Sequence, residues 1–290
     1  MRRIQPQHRW RAGFTIVELL VVVAIIGVLI GLLLPAIKHA QDSAKMINEK
    51  AAARDMMIAY QLYADDHSDW VLPGYKDGLS AFDENTDPIF EPISSRYPWR
   101  LAPYLDYRMD ALYKNSGFDT LEEMRNETPE SYTYLVSVLP SLGLNSAFVG
   151  GDSRNSGFLK PPPGGGSYLY DITGIFYVRR TGEVRRPDQL IVFGSARSGD
   201  PETTLTSEPQ EGYFRITSPY WLPNQGLRWN EYFEYSDPPE KFGNVSCRYK
   251  GNAVVAMFDG HVETMGEQEL LDMRHWANGA TKRDWRLGDD

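Results

Sequence analysis

The chain has 290 residues, 42% of them hydrophobic, which is enough for a sizeable buried core. Its 39 acidic against 30 basic side chains give a net charge of −9, which excludes nucleic-acid binding by charge alone. Cys247 is the only cysteine, so no intrachain disulfide can form, and stability must come from the core, bound ions or neighbouring chains.

Residues 1–13 carry Arg2, Arg3, Arg9 and Arg11 and no acid, so this stretch is expected to stay on the cytoplasmic side of a membrane while the remainder crosses. Taking these four arginines from the 30 basic side chains leaves 26 against 39 acids, so the rest is more acidic still. From Ile16 to Leu34 the only ionisable group is Glu18. That run of roughly 19 residues makes about 29 Å of helix, enough to span a bilayer. A secretory signal places its small-residue cut site after the apolar core, whereas here Gly13 stands before it. A cut at Gly13 keeps the helix.

Within the helix, Glu18 is costly, on the order of 2.5 to 3.5 kcal/mol on insertion scales, and so calls for a partner or a function. A cut at Gly13 makes that partner available, since it creates a cation, the Phe14 amine, on the adjacent turn of a neighbouring copy. The alternative is a charge near the interface, where the cost is smaller. Gly27 and Gly31 form a small-xxx-small pair that lets another helix approach closely. Pro35 lacks the N–H that should bond the Gly31 carbonyl, so a kink or local opening is expected there.

The run Gly13-Phe-Thr-Ile-Val-Glu-Leu-Leu-Val-Val-Val-Ala-Ile-Ile-Gly-Val-Leu resembles the N-terminal segment of type IV prepilins and type II secretion pseudopilins. The resemblance implies cleavage after Gly13 by a prepilin peptidase/methyltransferase, with methylation of the Phe14 amine, which would keep its charge. It further implies an inner-membrane, single-pass protein whose partners are copies of itself, other pilin-like subunits and an assembly platform protein. In filament-forming relatives the glycine-to-proline segment can unwind on assembly, and residues 27–35 match it by position.

After Pro35 the pattern stays helical. Ile37, Ala40, Ala44, Ile47, Ala51, Ile58 and Leu62 recur at spacings of three, four and seven, with Lys38, Gln41, Asp42, Lys45, Glu49 and Arg54 largely off the stripe. A continuous helix from Phe14 to Asp66 would be roughly 80 Å long, its second half a stem lying against the chain's own globular domain. Polar residues and Pro73-Gly74 stop it. Asp65, Asp66, His67 and Asp69 carry oxygen and nitrogen ligands, but their spacing matches no calcium loop, and solvated acids at a helix end account for them. The acidic loop at residues 83–87 reads the same way.

Residues 97–107 and 130–145 alternate aromatic and aliphatic anchors with Pro and Gly breaks. Such aromatics are expected in the core, a sugar- or protein-binding surface being the alternative. Residues 161–166, Pro-Pro-Pro-Gly-Gly-Gly, are a loop or hinge and lack the context of a phosphate loop. Short β-rich runs follow at 174–180, 189–194, 213–217, 245–249 and 252–258. Asp259 and Gly260 supply a tight turn into residues 261–265, so the flanking strands pair antiparallel. A short helix at 267–276 closes the chain.

A second, weaker resemblance lies here. Met257-Phe-Asp-Gly-His-Val262, preceded by residues 184–193, is similar to globular domains of prepilin-type proteins that carry a His-x9-Asp-Gly signature. Ten positions before Asp259 stands Tyr249 instead of histidine, so any role resting on that histidine is unsupported. No Cys-x-x-Cys, His-Glu-x-x-His or Gly-x-Ser-x-Gly motif is present, and no catalytic residue, metal or cofactor is expected.

The sequence thus predicts an α+β, pilin-like subunit. Residues 1–13 form the leader, 14–35 the transmembrane/assembly helix, 36–67 the amphipathic stem, and 68–290 a globular domain on an antiparallel sheet with loop insertions. The expected function is structural, in a type IV pilus-like or type II secretion pseudopilus-like fibre. The alternative is an extracytoplasmic ligand-binding or enzymatic domain that uses the prepilin segment as an anchor.

Overall fold

The computed structural model describes residues 16–109, 112, 113, 122, 125–153, 174–199, 209–222 and 224–289. Gly13, Phe14 and the loop at 161–166 lie outside the described residues. Helix α1 runs Ile16–Asp66, and the chain divides into two compact units between Ala44 and Lys45, within this helix. In the first unit, the helix is built almost wholly of Val, Ile, Leu, Ala and Gly up to Leu34, and it is assigned without a break through Pro35. A backbone that satisfies its own hydrogen bonds is what an apolar span requires.

The second unit, Lys45–Asp290, is an antiparallel sheet with the last turns of α1 laid against it. Strands β3 (Leu142–Leu144), β4 (Ile191–Ser195), β7 (Asn252–Met257) and β8 (Val262–Gly266) form a four-stranded sheet in the order β3-β4-β7-β8, every neighbouring pair antiparallel. The register shifts once, between Ile191 and Phe193. Two small hairpins flank it, β1 (Ala81–Phe82) with β2 (Pro88–Ile89), and β5 (Arg197–Ser198) with β6 (Gln210–Glu211). Every residue of β4 and all but the first of β7 are buried, so both faces of the central strands are covered. This is the α+β, pilin-like arrangement expected.

The stem was read in the wrong phase from the sequence. Its buried residues are Glu49, Ala52, Ala53, Met56, Met57, Ala59, Tyr60, Tyr63 and Ala64, a stripe at spacings of three and four. Ile47, Ile58 and Leu62, the predicted core face, are 62%, 56% and 46% exposed. The cause is that this part of the helix is apolar on two sides. Small Ala and unbranched Met form the side that meets the sheet, so the bulkiest aliphatic residues do not mark it. Glu49, assigned to the polar side, is fully buried.

Three predicted strands are also corrected. Runs 174–180, 213–217 and 245–249 touch the β-structure only at isolated bridges, through Val178, Arg180, Arg215, Val245 and Tyr249. Residues 214–216 cover the outer edge of β3, with Leu144 N–H donating to the Phe214 carbonyl at 3.1 Å and Ile216 N–H to the Leu144 carbonyl at 3.0 Å. Covering an edge by a few bonds satisfies it without building a ladder. The close approach explains Gly143 in mid-strand, since a Cβ there would lie 2.7 Å from the Arg215 carbonyl carbon.

The aromatic segment turns inward. Helix α2 (Tyr97–Leu101) sends the Tyr97 hydroxyl to the Leu142 carbonyl at 2.6 Å. The Trp99 indole donates to the Thr133 carbonyl at 2.9 Å on helix α3 (Pro129–Val138), which occupies the first part of the run read as alternating anchors and ends before Pro140. The closing helix is likewise shorter than predicted. It makes one turn, Glu267–Leu270, before Asp272 caps a 3-10 turn at Met273–His275 through the Arg274 N–H at 3.0 Å. Trp276 then plugs the core, its indole donating to the Leu270 carbonyl at 2.8 Å.

Candidate functional site

Glu18, Gly27, Gly31 and Pro35 all lie in helix α1. Glu18 lies in the first described turn of α1, on an exposed face. A Cβ placed on Gly27 or Gly31 would meet nothing within 4 Å, so both glycines border open surface. Among the described residues, α1 is the one helix long and apolar enough to cross a membrane, by length and composition.

The hairpin at the far end of the chain is built from Met257 to Val262. Its loop closes with Gly260 N–H donating to the Met257 carbonyl and Met257 N–H to the His261 carbonyl, each at 2.9 Å. Gly260 has φ +92°, the backbone that a three-residue hairpin loop demands at its last position. Two further bonds anchor the turn, from Phe258 N–H to the Leu190 carbonyl at 2.9 Å and from Asp259 N–H to the Pro187 carbonyl at 3.0 Å. Asp259 Oδ1 accepts the His261 backbone N–H at 3.0 Å and lies 2.6 Å from its ring Nδ1. Slight burial works to raise the Asp259 carboxyl, but the His261 N–H and ring hold it below the usual carboxylate range.

The polar contacts of the turn thus close its loop and tie it to residues 187–190. Gly260→Val is expected to lose about 1–3 kcal/mol, because a β-branched residue resists positive φ. His261→Ala, at an exposed side chain, should stay within about 0.5 kcal/mol of wild type. Thermal unfolding of both variants checks this. Loss of a measurable activity in His261→Ala at unchanged Tm would overturn the architectural reading.

A second constellation was not read from the sequence. The buried Glu49 carboxylate on the stem accepts Arg248 Nη2–H at 2.8 Å and Nε–H at 3.1 Å, the Tyr249 hydroxyl at 2.6 Å, and the Ser195 hydroxyl from β4. Arg248 also donates to Glu211 and to the carbonyls of Ala196 and Ser141, at 3.2 and 3.0 Å, so each of its N–H groups is used. Burial works to lower the Arg248 pKa, but the Glu49 and Glu211 carboxylates more than reverse this and hold it above the ordinary arginine range. Burial, reinforced by Glu49, pushes the Tyr249 phenol up, which keeps it a proton donor.

Tyr249, ten positions before Asp259, therefore reaches the stem. One sequence signal for Glu49 existed: it falls at helical spacing from Ala52, Ala53, Met56 and Tyr60.

Of the groups singled out earlier, His67, Asp66 and Asp83 are engaged locally. His67 stacks on Tyr63, ring centroids 3.9 Å apart, and burial together with a bond to Asp66 raises the Tyr104 phenol to about 12. Asp83 Oδ1 accepts the N–H groups of Asn85 and Asp87 at 2.9 and 2.8 Å, closing the β1–β2 hairpin. Among the described residues no group of three or more His, Cys, Asp or Glu side chains converges as a metal site. Cys247 is buried, and burial pushes its thiol well up.

Residues 11–34 match the family described as prokaryotic N-terminal methylation motif. Over 140 residues the chain is 33% identical to type II secretion system core protein G of Pseudomonas aeruginosa, a match that takes in 41% of this chain and 97% of that protein. No solved structure matches the chain.

Proposed function

Because this chain belongs to the type II secretion pseudopilin family, we propose that it is stored in the membrane as a prepilin, cut after Gly13, methylated on Phe14 and built into a fibre. The observation that carries the reading is the union, in one helix, of a membrane-length apolar segment with a stem seated on an antiparallel sheet. The leader stays cytoplasmic, and the body lies outside the cytoplasmic membrane. The fibre is of the type II secretion pseudopilus or type IV pilus kind, formed with copies of the same chain and other pilin-like subunits on a membrane assembly platform.

Each residue of the segment has a part in this scheme. Gly13 gives the peptidase a small residue at the boundary of the apolar helix. The new Phe14 amine keeps its positive charge after methylation and faces Glu18 of a neighbouring subunit. Gly27 and Gly31 let the neighbouring helix approach, and residues 27–35 are where the helix opens on assembly.

Intact-mass measurement of the native protein, with its recovery in sheared surface or periplasmic fibres, tests the proposal. A methylated chain beginning at Phe14, enriched in the fibre fraction, is the expected result. A processed chain that stays monomeric in the membrane beside an active assembly ATPase would favour the anchored-domain reading instead.

A further inference from the structure

We propose that Glu49 and its partners Arg248, Tyr249 and Ser195 form a lock that sets where the upper turns of the stem sit on the sheet. Glu49 is the first buried position along α1, every described residue before it being exposed or half-buried. Its bonds come from β4 and from the segment leading into β7, and through Arg248 the β5–β6 hairpin is tied to the same point. One carboxylate thus gathers three separate parts of the body.

The residues directly below it cannot do this work. Ala52, Ala53, Met56 and Met57 are small or unbranched, and methionine adapts to more than one packing. The lower turns are held differently, by the Tyr60 ring set edge-on against Phe193 and Phe258 at centroid distances of 5.8 and 6.1 Å. Even there the Tyr60 hydroxyl is buried without a hydrogen-bond partner, so its contact is one of shape alone. Directional contact between the upper stem and the sheet is concentrated at Glu49. Well-packed apolar groups of similar volume often replace a buried ion pair with little loss of stability, so the lock's contribution is position.

The test uses the full chain in detergent micelles. Glu49→Gln alone leaves Arg248 short of a partner, and its Tm should fall by roughly 10 °C. A combined variant, Glu49→Met with Arg248→Met and Tyr249→Phe, removes the buried pair and its hydroxyl together while Glu211 keeps the Tyr235 and Ser246 hydroxyls and the nearby Arg197 charge, and it should return to within about 5 °C of wild type. In that combined variant, amide hydrogen exchange over residues 49–57 should be faster by about an order of magnitude, with residues 60–64 protected as in wild type.

Wild-type protection over residues 49–57 in the combined variant would overturn the proposal. So would a Tm loss as large as that of Glu49→Gln, since the network would then be supplying stability and not position. Fibre yield does not enter these measurements, so their failure leaves the assembly proposal untouched.

Discussion

Gly13→Leu is expected to leave the native chain beginning at Met1, with no methylated Phe14 species in the intact-mass spectrum and fibre recovery at background. The reason is local. A branched side chain stands at the bond to be cut, directly before the apolar helix. The uncut chain also keeps Arg2, Arg3, Arg9 and Arg11 at the helix base, where the proposed assembly needs one amine and no more. A Gly13→Leu chain that still begins at methylated Phe14 would refute this assignment of the cut.

Charge reversal at Glu18 is the second large effect. Glu18→Ala should leave processing and membrane level unchanged, since the helix keeps its apolar length and loses a group that lipid disfavours. Fibre yield should fall sharply, because docking loses the attraction between this carboxylate and a neighbour's Phe14 amine. In low dielectric that attraction is worth a few kcal/mol, part of it offset by desolvation. Glu18→Lys should be worse, as it sets two cations together, and unassembled protein should accumulate in the membrane. Normal fibre yield in both variants, or equal loss of membrane protein in both, would leave Glu18 as an interfacial charge.

What the sequence made legible was what depends on near neighbours. Helix α1 was predicted to end at Asp66 and does, because a long periodic run and a polar stop are both local signals. The β7–β8 hairpin was visible for the same reason, an apolar run followed by Asp259-Gly260. The stem's orientation was not, because both of its sides carry apolar residues and only contact with the sheet selects Ala52, Met56 and Tyr60 over Ile47, Ile58 and Leu62. Strand β3 was hidden by Gly143, whose place is set by the backbone at Arg215 and not by strand propensity.

The site divides along the same line. Gly13, Phe14, Glu18, Gly27, Gly31 and Pro35 form one contiguous pattern in the chain, which is why they could be proposed as an assembly segment from it. The Glu49 network could not, because nothing near Glu49 announces an arginine and a tyrosine that follow it by 199 and 200 residues. Tyr249 could be recognised as a departure from histidine, but its partner could not.

That separation governs how the body comes to be folded. A chain made from its N-terminus exposes the stem's inner face from Ala52 to Ala64 long before β7 and β8 exist to cover it. Contacts so distant in sequence form slowly, and uncovered apolar surface is prone to aggregate while it waits. Strands β3 and β4 can pair, and Phe193 can meet Tyr60, earlier, but the sheet is completed only once residues 252–266 have been made. A chain interrupted before that point keeps all of α1 but lacks the two strands that complete the sheet, so the buried face of β4 stays uncovered.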